Sequence, residues 1–293
     1  MRFRSFALLL LCATFAAAAE TPSEAPKEVA STSTDTKLAI TVNAVEPAVL
    51  PVLEAKPQNA CAKAAVAGEK TGAECKVNWT RMTRESVTFM GMQHWMNKST
   101  YKGELKGPFV RDWFSAVANT RFSRWTDGDP FIVDYVGHPM SGATYARTFI
   151  QNDPKGASLE LGMNKAYWKS RAKGMAWAAF WSTQWEIGPV SEASLGNLGN
   201  FKYASNATGA ITNGTGLTDF VTTPVGGTLW VVGEDAIDKF VTKRLDRKYK
   251  NPVALLGISV LTPTRSVANL LRFKAPWYRE SRAVGGWERF KSW

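Results

Sequence analysis

Residues 128–146, GDPFIVDYVGHPMSGATYA, constrain the fold more than any other stretch. If Asp129 caps a helix with Pro130 in its first turn, Asp134, His138 and Gly142 recur every four residues along one face. That face joins a carboxylate, an imidazole and a gap. Pro139 lacks an N–H and clashes with the turn before it, so a kink is expected beside the imidazole. Gly137, Ser141, Gly142, Ala143 and Ala146 are small enough to let a second helix approach closely. The helix is expected to run from 130 to about 151, where Asn152, Asp153 and Pro154 stop it. The fold class that follows is all-α: a multi-helix bundle with kinked central helices.

The chain has 293 residues, 45% of them hydrophobic, enough to bury a substantial core in one large domain or two small ones. Residues 1–19 read as a secretory signal: Arg2 and Arg4, an apolar run over 6–16, then small residues at Ala17 and Ala19, with cleavage expected after Ala19. Residues 20–76 form the leader. Its first part, to about 58, is rich in Ala, Pro, Ser, Thr, Glu and Lys and has no aromatic residue, which predicts a disordered spacer. A helical domain over 77–282 and a tail over 283–293 complete the layout. Cys61 and Cys75 remain after processing, and an oxidising compartment lets them close a short loop peripheral to the core.

Loss of Arg2 and Arg4 with no acidic residue lowers the formal charge from +11 to +9. For an exported chain, periplasmic or outer-membrane-associated, the anionic partners are lipid head groups and other envelope phosphates rather than nucleic acid. A basic surface that serves only solubility is the plainer alternative. No run reaches the roughly 18 apolar residues a membrane-spanning helix needs. The apolar stretches 175–185 and 220–233 either dip into a bilayer or pack together as core, and core packing is the expectation. Towards the C-terminus, Lys274, Trp277, Tyr278, Arg279 and Arg282 interleave cations with aromatics, a pattern suited to an anionic membrane surface.

Further helices are expected over about 83–98, 108–125 and 158–187, from Thr218 or Asp219 onward with a kink at Pro224, and over 265–273. Glu186 closes an apolar stretch before Gly188 and Pro189, where a carboxylate is costly unless paired or hydrated. Antiparallel packing would gather Asp134 and His138, Glu186, and Asp219, with Glu234, Asp235 and Asp238 further along the last of these helices. One imidazole with two or three carboxylates suits a hard divalent cation or a metal-free acid/base pair better than zinc, which draws on more His or Cys. Plainer roles stand beside these: Asp219 as a helix cap, His138 and Asp134 as a structural pair, Glu234 and Asp238 as a solvated face pairing with Lys239 and Lys243. There is no GxSxG elbow, P-loop or dinucleotide fingerprint.

The order DYVGHPMSG, QWEIGPVSE, LTDFVTTPVGGTLWVVGED resembles an uncharacterised bacterial exported family of unknown function, with its HP-x-x-G helix, WE motif and D-x-x-T-T helix ending in GE. A looser likeness is to the VanZ-like layout, whose true membrane spans this chain lacks in its sequence. The resemblance covers about 129–238. It implies a helical core, an envelope location and motif positions at Asp134, His138, Glu186 and Asp219, and it implies no established activity. The reading that results is an envelope binding or scaffolding protein peripheral to a membrane. The alternative is a hydrolase or transferase acting on a lipid or cell-wall intermediate through His138 and Glu186.

Overall fold

A computed structural model describes residues 59–96, 109–118, 120, 122–126, 129–195 and 216–284. The expected signal, the leader up to residue 58 and the tail beyond 284 lie outside the described residues. Every element among the described residues is helical, as the pattern predicts.

The domain starts earlier than residue 77. Helix α1 (Ala60–Ala67) is capped by Asn59, whose Oδ1 accepts from the Ala62 N–H at 2.7 Å, and ends at Gly68 in the left-handed region. The pairing of Cys61 with Cys75 is present, and the buried Ala62 packs with Leu159 and Tyr167. Both cysteines therefore belong to the folded domain. The composition of 20–58 obscures this boundary, because Ala-rich sequence continues straight into α1.

Helix α2 (Trp79–Met96) and α3 (Phe109–Ala118) precede the central element. There the chain makes a π-turn at Val133–Gly137 and passes directly into α4 (His138–Asn152). The kink expected at Pro139 is thus expressed as a wider turn just before it, a common way to accommodate a residue that cannot continue the hydrogen-bond ladder. Residues 142–150 are buried on every side, which marks α4 as the middle of the bundle.

Helix α5 (Lys165–Ile187), capped by Asn164, packs along α4. Tyr145 stacks on Trp181 with centroids 5.4 Å apart and meets Phe89 edge-on. The phenol is satisfied, donating to Gln93 Oε1 at 2.7 Å. After the short α6 (Glu192–Leu195), residues 218–248 form one long helical rod. It comprises α7 (Thr218–Val221), a π-turn at Thr222–Gly226, α8 (Gly227–Ile237), a second π-turn at Asp238–Thr242, and α9 (Lys243–Lys248). Pro224 lies inside the first of these turns.

The small residues of α4 do what their size predicts. A Cβ on Gly142 would lie 1.8 Å from the Thr223 carbonyl oxygen, and one on Gly227 would lie 2.7 Å from the Ala143 nitrogen. The rod and α4 therefore touch backbone to backbone. Helices α10 (Pro252–Ser259) and α11 (Pro263–Leu271) close the domain, with α11 packed against α4. No single described helix is long and apolar enough to cross a membrane; only α10 and α11 pass together, and they are bent by 116°.

Two expectations need correction. The 220–233 stretch supplies core only in part: Val231 is buried in the main core cluster with Trp230 packed against it, while Val225 and Leu229 face outward. Of the cations near the C-terminus, Arg279 and Arg282 are turned inward. Arg279 Nε donates to Asp238 Oδ1 at 2.6 Å, Arg282 bridges Asp238 and Asp246, and the Tyr278 hydroxyl donates to Glu280. The interleaved pattern is spent on internal ion pairs, which Asp238 and Asp246 require once buried.

Candidate functional site: a histidine and carboxylate centre

The centre is assembled where the N-terminal ends of α4 and the rod meet the C-terminal end of α5. His138 opens α4 just after the π-turn. Glu186 is the penultimate residue of α5 and is completely buried, after Trp181 and Trp185 on the same helix. Asp219 lies in the first turn of α7, whose cap position is Leu217, so its role is not that of a helix cap. The start of the rod is pinned on two sides. Ser182 Oγ donates to the Asp219 carbonyl at 3.0 Å, and the Leu217 N–H donates to the Arg124 carbonyl at 2.8 Å.

Donor atoms of His138, Glu186 and Asp219 all lie within 4.8 Å of one another. His138 Nε2 is 3.4 Å from Asp219 Oδ2, and Nδ1 is 3.3 Å from the Thr223 hydroxyl. Both ring nitrogens thus have oxygen neighbours, which fix the plane of the imidazole. A second triplet, Asp129, Asp134 and His138, satisfies the same distance limit, with Asp134 buried and Asp129 exposed. Asp134, Glu186 and Asp219 therefore all gather around the His138 imidazole.

Two ligands of one ion lie at most two bond lengths apart, about 4–5 Å for bonds of about 2.0–2.6 Å. The spread of the His138, Glu186 and Asp219 atoms fits that limit. A donor set of one imidazole and several carboxylate oxygens suits hard cations such as Mg²⁺, Mn²⁺ or Ca²⁺ more than zinc.

Sequence reasoning missed two partners here. Thr223, the second threonine of the D-x-x-T-T motif, supplies the hydroxyl facing Nδ1; the doubled threonine was the available signal. Asp129, assigned only to capping, sits within ligand distance of His138.

Glu234, Asp235 and Asp238 do not join this centre. They are buried further along the rod among arginines, which overturns the solvated-face reading. Asp235 accepts from Arg147 Nη1 at 2.7 Å, from Arg171 Nε and Nη2, from Arg265, and from the Tyr167 hydroxyl at 2.9 Å. Glu234 accepts from the N–H groups of Thr264 and Arg265 at the start of α11. Burial alone would raise the Asp235 carboxyl, but Arg147, Arg171 and Arg265 outweigh it and hold the group well below the usual carboxylate range. Burial, with Arg147 beside it, lowers Arg265 to about 10. Lys243 pairs with Glu160 instead of with the rod's own acids.

Comparison with family models, curated proteins and solved structures finds no match. The family resemblance drawn from the HP-x-x-G, WE and D-x-x-T-T motifs rests on those residues alone.

Proposed function

We propose that this chain is an exported bacterial envelope protein, peripheral to a membrane, that acts by binding or scaffolding at an anionic envelope surface. Its His138, Glu186 and Asp219 centre, with Asp134 beside it, holds a hard divalent cation. One observation carries the cation reading: three ligand-capable atoms from three separate elements converge within 4.8 Å. The resemblance to an exported family and the basic charge support the envelope reading.

The test is metal analysis of protein purified natively, followed by titration of chelator-treated protein with Mg²⁺, Mn²⁺ and Ca²⁺. One equivalent is expected in wild type and none in His138→Ala. Thr223→Ala, which removes the hydroxyl beside Nδ1, is expected to weaken cation affinity by about 10–100-fold. At a hundredfold excess over Kd, the cation should stabilise wild type by about 2.7 kcal/mol. A wild type that binds no cation, with a His138→Ala variant that simply melts earlier, would make the centre a structural polar core.

A second reading is favoured by the oriented imidazole: His138 and Glu186 act as an acid/base pair in a hydrolase or transferase working on a lipid or cell-wall intermediate. It requires His138→Ala to stay folded while losing turnover of such a substrate. Loss of stability without a specific loss of turnover removes this reading.

A further inference from the structure

The inward side of the rod is largely polar: Thr222, Thr223, Glu234, Asp235, Asp238 and Asp246 are buried there, beside Val231 of the core. Its outward side carries Val225, Leu229, Ile237, Phe240 and Val241, all exposed, with Leu229 at 69%. These residues recur at intervals of three to four turn-aligned positions, with Gly233 between them also exposed. They form a stripe about 25 Å long at 1.5 Å per residue. A stripe of exposed apolar side chains, interrupted at Gly233, on the outside of a folded domain marks an interaction surface.

The charge at its end says what kind. Past Val241 the same side continues as Arg244, Arg247 and Lys248, all exposed, while the one acid in that stretch, Asp246, is buried against Arg282. Lys248 Nζ lies 5.3 Å from the Tyr249 ring centroid, whereas Lys239, near the Phe240 ring, donates to the Leu161 carbonyl at 2.9 Å. Aliphatic surface, a ring-associated ammonium group and a collar of one sign are the make-up of a helix that lies in a membrane interface, its apolar side among acyl chains and its cations at anionic head groups.

We propose that the outer side of the rod docks on an anionic phospholipid surface, Leu229 and Phe240 entering the acyl region and Arg244 and Lys248 meeting the head groups. The inference rests on the membrane-surface reading above and relocates its contact from residues 274–282 to 225–248. Because the rod also carries Asp219 and Thr223 on its inward side, the docked surface and the histidine centre share one helix.

The experiment is flotation of the mature full chain with vesicles of phosphatidylcholine alone or mixed with phosphatidylglycerol, across a range of salt. Three proteins are compared: wild type, the double variant Leu229→Glu with Phe240→Glu, and the double variant Arg244→Glu with Lys248→Glu. Wild type is expected to float with the anionic vesicles, less so as salt rises. The first variant is expected to lose at least tenfold in bound fraction with an unchanged melting temperature, and the second to lose its preference for anionic over neutral vesicles. Wild type that binds neither vesicle overturns the surface reading together with this one. Wild type that binds, with both variants binding equally well, overturns the rod alone. A first variant that melts well below wild type, or that converts a dimer to a monomer in light scattering, assigns the stripe to internal packing or to self-association and also overturns the proposal.

Discussion

The rod over 218–248 contributes acids to two buried groups of carboxylates, and they meet their partners in different ways. Around Asp235 and Asp238, guanidinium groups of Arg147, Arg171, Arg265, Arg279 and Arg282 meet the acids directly. Around Asp219 and Glu186, an imidazole approaches, and its charge is conditional. Permanent cations make the first group a clamp that fixes the rod against α4, α5 and α11. A titratable ring and convergent oxygens leave the second able to respond to a proton or an ion. The difference separates a part that holds the fold from a part that can do work, although both look alike as buried acids in a helix.

The comparison breaks most visibly if the clamp is opened. Asp235→Ala strands three buried guanidinium groups and is expected to cost about 3–5 kcal/mol in denaturant unfolding. Asp219→Ala should cost clearly less, and an equal cost would mean that the histidine centre is also a clamp.

Gly142→Ala comes next. The added methyl meets the backbone of Thr223, which cannot rotate away, so about 1–3 kcal/mol is expected. Cation affinity should fall with it, because Thr223 faces His138. If stability drops while cation binding stays intact, the rod's position does not govern the centre.

Acid titration sharpens the contrast. The Asp235 and Asp238 carboxyls are held low against the effect of burial, by Arg147, Arg171 and Arg265 for the first and by Arg265, Arg279 and Arg282 for the second. Their contribution is therefore complete above the unfolded value near about pH 4 and is lost as pH falls through the folded values. Thermal melts below about pH 4 should show that loss.

The smallest effect is at His94. Burial lowers its pKa, against the pull of the Val190 carbonyl, and its ring stacks on Trp185 beside Glu186. The unfolded chain then binds more protons below about pH 6.5, so stability should decline as pH drops through that range. His94→Gln should flatten the slope, and an unchanged slope would place the titrating group elsewhere.

The helical class was legible because caps, stops and small residues act locally. Asn152 to Pro154 end α4 where expected, and Gly142 marks the close approach. The meeting of His138, Glu186 and Asp219 was legible for a different reason: each is a costly group at a helix end, and such groups need one another. The arginine clamp was not legible. Local spacing pairs Glu234 and Asp238 with Lys239 and Lys243, whereas the actual partners lie 30 or more residues away in sequence. The π-turns at 222–226 and 238–242 compound this, since each extra residue rotates everything after it away from the face that a regular helix extrapolates. The outward apolar stripe was hidden by the ordinary assumption that hydrophobic helices turn their apolar side inward.

The clamp also orders events in time. Asp238 finds Arg279 only 41 residues later, and Asp246 finds Arg282 only 36 residues later. Until residues 279–282 have been made, Asp238 and Asp246 lack these two arginines. The segment carrying Arg279 and Arg282 therefore acts as a latch on the far end of the rod. A chain cut short before residue 279 would keep the contacts of Arg147, Arg171 and Arg265 with Asp235 and lose those that hold Asp238 and Asp246.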